Sequence, residues 1–266
     1  MSLPLNISIA FLASSSLANS TKPYDFIYEN TVMQFNLLNI AKNIQIKKVI
    51  LLGSSCIYPK ITKTPIKENQ ILTGKLERTN EFYAISKIAG LKLAESLIIQ
   101  KKMDIRCLMP CNVYGPEDHF FDPVRAHVIP ALINKIYNAK IKSKKNVYIW
   151  GSGKPKREFI YVDDLANIIK KVIEMPKSKF YKNLNQNYFY NVGTGKEVSI
   201  IELVKKIVKL TGYKGKIQFN KSYPDGTYTK LINSTNFKKI INMKYTNIKK
   251  GLELTYFDFI SKINKK

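Results

Sequence analysis

The segment Lys47-Lys-Val-Ile-Leu-Leu-Gly-Ser-Ser-Cys56 decides the fold. An apolar run with β-branched residues, entered from a lysine pair and left through small residues, predicts a strand buried on both faces that ends where the chain must turn. Upstream, Asp25 to Ile44 carries Phe26, Ile27, Val32, Phe35, Leu38 and Ala41 at helical spacing. Downstream, Asn80 to Lys102 predicts a long helix, with Thr79 or Asn80 as N-cap and Ala84, Ile88, Leu91, Ala94 and Leu97 facing inward. A strand follows over Asp104 to Met109. Helix and strand alternating in this way predict an α/β fold, a doubly wound parallel sheet covered by helices. Further on, the pattern predicts a helix from His127 to Ala139, a strand from Asn146 to Trp150 and a Gly-rich turn from Gly151 to Gly153. Beyond it come a helix from Asp163 to Glu174, a strand from Tyr188 to Val192, and a helix from Ile200 to Leu210 started by Ser199. The Lys/Asn-rich stretch from Lys177 to Asn187 predicts an exposed loop.

Composition excludes several classes of function. Apolar residues make up 45% of the 266, which rules out global disorder. The formal charge of +25 invites an anionic partner, but the arginines are Arg78, Arg106, Arg125 and Arg157, and the remaining cations are dispersed lysines with no recognition motif. Residue usage over solvated faces explains the excess, so no nucleic-acid partner is expected; electrostatics retains at most a steering role toward a phosphorylated ligand. Cys56, Cys107 and Cys111 form no spaced framework, which predicts a reducing, cytoplasmic setting, no disulfide and no metal site. No apolar run reaches the roughly 18 residues of a membrane helix. Leu3 to Ala18 superficially resembles a signal peptide but lacks a basic start, so neither secretion nor membrane association is expected.

A dinucleotide-binding sheet normally opens with a Gly-rich turn of the G-x-G-x-x-G kind under the pyrophosphate. The first glycine here is Gly53, and Met1 to Ser20 supplies serines instead. The chemistry-bearing residues come later. Tyr83 and Lys87 share one helix face, and a neighbouring ammonium favours phenolate, which predicts a lowered Tyr83 pKa. The same spacing recurs at Tyr245 and Lys249, so setting decides between them. The first pair follows the strand that ends in Gly53-Ser54-Ser55, and Pro110-Cys-Asn-Val-Tyr-Gly115 follows the next strand.

These residues resemble the extended short-chain dehydrogenase/reductase family, and within it the GDP-L-fucose synthase branch. The resemblance runs from about Ala18 to about Lys230 through Asp25-Phe-Ile-Tyr-Glu-Asn30, Leu52-Gly-Ser-Ser-Cys-Ile-Tyr-Pro-Lys60, Asn80-Glu-Phe-Tyr-Ala-Ile-Ser-Lys-Ile-Ala-Gly90, His127-Val-Ile-Pro-Ala-Leu132, Trp150-Gly-Ser-Gly153 and Arg157-Glu-Phe-Ile-Tyr-Val-Asp-Asp164. It implies a Rossmann-like domain with a smaller mixed α/β substrate lobe, NADPH as cofactor, and conversion of GDP-4-keto-6-deoxy-D-mannose to GDP-L-fucose. Ser54, Tyr83 and Lys87 match its catalytic triad, and Cys56 with His127 matches the pair that epimerises C3 and C5. Leu52, Gly53, Ser54, Ser55, Tyr83, Lys87, Pro110, Cys111, Asn112, Val113 and His127 match cofactor-lining positions. Lys135, Trp150, Arg157, Asp225 and Lys230 match positions around the nucleotide sugar. The two long helices imply a homodimer.

The resemblance has gaps. Lys135 stands where the family usually has arginine, keeping the charge but losing a bidentate fork, and Cys111 stands where it usually has threonine. Against the family pattern about fifty leading residues are absent, with the first two strand-helix units and the Gly-rich turn, implying an N-terminally truncated domain completed by a missing segment or partner chain. The expected division is a partial dinucleotide-binding domain over 1–113 plus about 158–192, and a substrate lobe over about 114–157 plus 193–266. Two alternatives stay open: another NAD(P)-dependent nucleotide-sugar epimerase or dehydratase, and a non-catalytic truncated homologue that binds nucleotide sugar only.

Overall fold

The computed structural model describes residues 6–9, 16–122, 126–184, 186–223 and 225–265, and for 6–9, 16 and 17 the backbone alone. The chain opens with β1 (Asn6–Ile9), α1 (Ser16–Thr21), α2 (Pro23–Asn43), β2 (Lys48–Leu52), α3 (Glu81–Lys101) and β3 (Ile105–Pro110). It continues through β4 (Asn112–Tyr114), α4 (Val128–Ile141), β5 (Asn146–Trp150), β6 (Lys156–Tyr161), α5 (Val162–Glu174), α6 (Lys177–Tyr181) and β7 (Phe189–Val192). The last elements are β8 (Glu197–Ser199), α7 (Ile200–Thr211), β9 (Lys216–Asn220), α8 (Thr235–Lys238) and α9 (Ile248–Asn264).

The main sheet is parallel throughout, in the order β1-β2-β3-β7. Every residue of β3 is buried, so the sheet is covered on both faces, as a continuous apolar strand requires. The α2/α3 pair covers one side, and Leu165, Ile168 and Val172 of α5 join the same core. Ile232, Phe237, Ile240 and Ile241 return from far along the chain to pack there too. A second core gathers Tyr114, Phe120, Ile133, Tyr161, Leu203 and Phe259 around α4, α7 and α9. Its strands form two small sheets, β4-β6-β8 and the parallel pair β5-β9.

Helix α3 forms as its spacing predicts: Ala84, Ile88, Leu91, Ala94 and Leu97 are all buried. It lies close to α2 because Gly90 leaves room, since a Cβ there would sit 1.9 Å from Gln34 Oε1. Gln34 uses that space to donate its amide to Ser86 O at 3.1 Å and Asn30 O at 2.8 Å. Helix α7 starts on the capping box Ser199/Glu202 and stops at Gly212, whose φ of 70° suits a residue without Cβ.

Two expectations need correction, and one element was not expected at all. Lys177 to Asn187 is not simply an exposed loop: α6 occupies Lys177–Tyr181, and Phe180 is fully buried against Tyr190, with ring centres 5.2 Å apart. One aromatic on a lysine-rich turn is enough to dock it. The opening segment, for which the pattern gave no element, contains a strand, β1, which pairs with β2 from Asn6↔Lys48 to Ile9↔Leu51. Asn80 stands at the N-cap of α3 but its side chain does not cap the helix.

Candidate active site

Ligands of parallel sheets bind beyond the C-terminal strand ends, and the expected residues collect there. After β2, Gly53 N donates to Leu108 O at 2.8 Å, and a Cβ on Gly53 would come within 2.1 Å of the Met109 side chain. This close approach delivers Ser54 in extended conformation, its Oγ accepting from Cys56 N at 3.3 Å to start a short turn over Ser55–Ile57. The Ser54 side chain hydrogen-bonds Tyr83 in the first turn of α3. One turn on, Lys87 places Nζ 5.3 Å from the Tyr83 ring centre. Phe26 of α2 meets Tyr83 edge to face at 6.2 Å, and Ala18 and Cys56 complete the packing around the ring.

The electrostatics reverse one expectation. The Tyr83 phenol is pushed up, not down, first by burial and then by the charge of Cys56, with the Ser54 hydrogen bond opposing. Burial likewise pushes Lys87 down to about 6. Desolvation dominates because both groups are sealed in together, and a lysine that has lost its charge no longer favours the phenolate. A protonated phenol suits a proton donor. Beside it, the partly exposed Cys56 Sγ accepts from Asn80 Nδ2 at 3.3 Å, which is where the Asn80 side chain goes instead of capping α3.

The expected cofactor-lining stretch occupies the same end of the sheet. Pro110 ends β3, and Cys111 N donates to Val192 O at 3.0 Å, carrying the chain beside β7. Asn112 Nδ2 donates to Glu158 O at 2.8 Å, and Val113 packs on the first core. Leu52 does the same from β2, while Ser55 is buried in its turn. His127 sits at the N-cap of α4, and among the described residues it hydrogen-bonds none of Ser54, Cys56, Tyr83 or Lys87; its buried Nδ1 has no partner. The structure brings Ser54, Cys56, Tyr83 and Lys87 together and sets His127 at the start of a helix that belongs to the second core.

The family model for the NAD dependent epimerase/dehydratase family matches residues 6–193. The chain belongs to that family. GDP-L-fucose synthase of Escherichia coli K12 is 43% identical over 245 residues, spanning 92% of this chain and 76% of that protein. GDP-L-colitose synthase of Yersinia pseudotuberculosis is 39% identical over 248 residues, 93% and 78% of the two chains. Among solved structures, a GDP-6-OMe-4-keto-L-xylo-heptose reductase from Campylobacter jejuni matches with a TM-score of 0.90 at 29% identity, covering 97% of this chain and 82% of that one. A GDP-mannoheptose C4 reductase from the same organism, with NADP bound, matches with a TM-score of 0.85 at 30% identity, covering 96% and 81%.

Around the second core of this epimerase/dehydratase family member lie the expected substrate residues. Trp150 ends β5, with Lys135 Nζ of α4 5.9 Å from its ring centre. Asp225 takes both Ser152 N and Ser152 Oγ at 2.6 Å, and these bonds hold its carboxyl below the usual range. Arg157 Nη1 donates to Lys156 O and Thr227 O at 2.7 Å; burial pushes its guanidinium down, against the opposing charges of Glu197, Asp225, Cys56 and Glu77. Lys230 is held by its backbone, whose N–H donates to Glu197 Oε1 at 3.2 Å.

Sequence reasoning missed Phe26 and Asn80 as site residues, and Glu158 as the clasp behind them. Glu158 is fully buried and accepts from Gly195 N at 2.6 Å and Ile232 N at 3.1 Å, joining the loop after β7 to the returning segment. Only its position after Arg157 in the shared motif hinted at it. A depression of about 470 Å³ lined by Lys42, Lys47, Lys101 and Lys102 lies at the opposite end of the strands. Lys42 and Lys101 there end α2 and α3, where cations complement the carbonyl ends of helices.

Proposed function

We propose that this chain performs the reaction of the GDP-L-fucose synthases: GDP-4-keto-6-deoxy-D-mannose is epimerised at C3 and C5 and reduced at C4 to GDP-L-fucose, with NADPH as cofactor. The observation that carries this is the packing of Cys56 against a buried Tyr83 that Ser54 hydrogen-bonds. An acid for the C4 oxygen and a group able to move protons at the adjacent carbons thereby share one site. Both C3 and C5 are α to the ketone, so their protons are the acidic ones.

Tyr83 donates its proton to the C4 oxygen, and Ser54 hydrogen-bonds that oxygen as charge builds there. Cys56 and His127 act as the base and acid pair at C3 and C5. Arg157, with Lys135 and Lys230, supplies charge for the diphosphate, while Trp150 and Asp225 stand beside it. The residues present fit the nicotinamide-ribose end of NADPH: Lys87 is a buried amine whose charged form ribose hydroxyls would support, and Leu52 to Ser55 with Pro110 to Val113 flank it. When bound, NADPH supplies the hydride to C4. No residue of this sequence is assigned to the pyrophosphate, since no G-x-G-x-x-G turn occurs in it.

Two cores support a division into a dinucleotide-binding part, 1–113 plus about 158–192, and a substrate lobe, about 114–157 plus 193–266, with Ile232 to Ile241 transferred to the first. A homodimer is supported by the apolar face of the α2/α3 pair, where Tyr24, Tyr28, Val32, Phe35, Phe82 and Ile85 are exposed. Free cysteines support a cytoplasmic setting, and among the described residues no helix is long and apolar enough to cross a membrane. The test is incubation with GDP-4-keto-6-deoxy-D-mannose and NADPH. NADPH consumption with GDP-L-fucose as product supports the proposal, and neither appearing refutes it.

A further inference from the structure

Trp150 and Tyr223 lie face to face, with ring centres 4.5 Å apart and planes 9° from parallel. Neither belongs to a core: they are 56% and 42% exposed. The stack is held from below. Parallel pairing of β5 with β9 sets Trp150 opposite Asn220 and so brings the next loop alongside the indole. Two residues past Tyr223, Asp225 receives both bonds from Ser152 on the turn directly after Trp150. That turn passes tightly, since a Cβ at Gly151 would sit 2.4 Å from Asp225 Oδ1. Two residues further, Thr227 O accepts from Arg157. The loop that carries Tyr223 is thus fastened to Ser152, next to the indole in the turn after it, and to Arg157.

Stacking covers one face of each ring, and each still keeps apolar area uncovered on its other side. Cations gather beside them: Lys135 over the indole and Arg157 under the loop. A flat π-face next to positive charge suits a nucleobase followed by a diphosphate. We infer that Tyr223 is a further substrate-recognition residue, forming with Trp150 a two-ring platform on which the base of the nucleoside diphosphate sugar stacks, with the diphosphate directed toward Arg157. This rests on the nucleotide-sugar reading above and adds a residue to it.

Trp150 is the single tryptophan, so its emission reports the platform directly. The full chain and its Tyr223→Ala and Tyr223→Phe variants are titrated with GDP and with inorganic pyrophosphate, by Trp150 emission and by calorimetry. In the unmodified chain GDP binds and changes the emission. Tyr223→Ala weakens GDP binding by about five-fold or more. Tyr223→Phe, which keeps the ring, stays within about two-fold, and pyrophosphate affinity is the same in all three. GDP affinity in Tyr223→Ala that is equal or tighter overturns the platform, and so does equal loss of GDP and pyrophosphate, which means the loop has collapsed. An unmodified chain that fails to bind GDP overturns the nucleotide-sugar reading itself, so the two failures are separated by the first titration.

Discussion

Lys87 holds its Nζ 5.3 Å from the centre of the Tyr83 ring, one turn along α3, and both side chains are shut away from solvent. Their proton affinities move in opposite directions for one reason: burial penalises whichever form is charged. The phenol keeps its proton more firmly, while the lysine gives its proton up near pH 6.

This has a pH consequence for stability. Lys87 falls from 10.5 to about 6 on folding, so between those values the unfolded chain binds the extra proton. Stability from this group therefore rises as pH increases through that window, and below about 6 both states are protonated. Melting temperatures taken between about pH 6 and pH 9 should rise more steeply in the unmodified chain than in Lys87→Met. Parallel curves would mean that Lys87 is not held neutral.

The two chemistries separate by mutation. Tyr83→Phe keeps the ring but loses the proton, and should slow C4 reduction by about 10²-fold or more while solvent deuterium still enters C3 and C5. Cys56→Ser should suppress that exchange. Nuclear magnetic resonance of the sugar protons reads both, and equal loss of the two activities in Tyr83→Phe would contradict the division of roles.

Asn80 donates to Cys56 Sγ, a bond that is stronger to a thiolate than to a thiol. Removing it in Asn80→Ala should slow alkylation of Cys56 by iodoacetamide at neutral pH by about ten-fold. Cys107 and Cys111 are buried, so Cys56 dominates the reaction. An unchanged rate would show the contact to be incidental.

The α2/α3 seam gives a stability test. Gly90→Ala puts a methyl where Gln34 Oε1 now sits, forcing Gln34 off Ser86 O and Asn30 O. A loss of about 1–3 kcal/mol is expected in denaturant melts. Gln34→Ala in the same chain should remove the clash and return part of the loss, and strict additivity of the two costs would contradict the packing account.

The parts legible in the sequence are those fixed by local pattern. Strands β2 and β3 announce themselves by uninterrupted apolar runs, and α3 by its spacing; Ser54, Cys56, Tyr83 and Lys87 then fall at predictable ends of those elements. What stayed hidden depends on partners far along the chain. Strand β1 alternates polar and apolar residues over Asn6–Ile9 alone, too short a run to stand out in its opening segment, and α6 exists because Phe180 finds Tyr190. The charge of Lys87 is visible in the sequence but its burial is not, which is why the direction for Tyr83 came out reversed. Tyr223 meets Trp150 only through the β5/β9 register.

The most direct measurement is the mass spectrum of the product formed by the full chain from GDP-4-keto-6-deoxy-D-mannose and NADPH in deuterated water. One active site that moves protons at both α-carbons and then reduces the ketone predicts GDP-L-fucose carrying a deuterium at C3 and another at C5. Unchanged starting sugar, or a reduced sugar without deuterium at those carbons, would contradict the account.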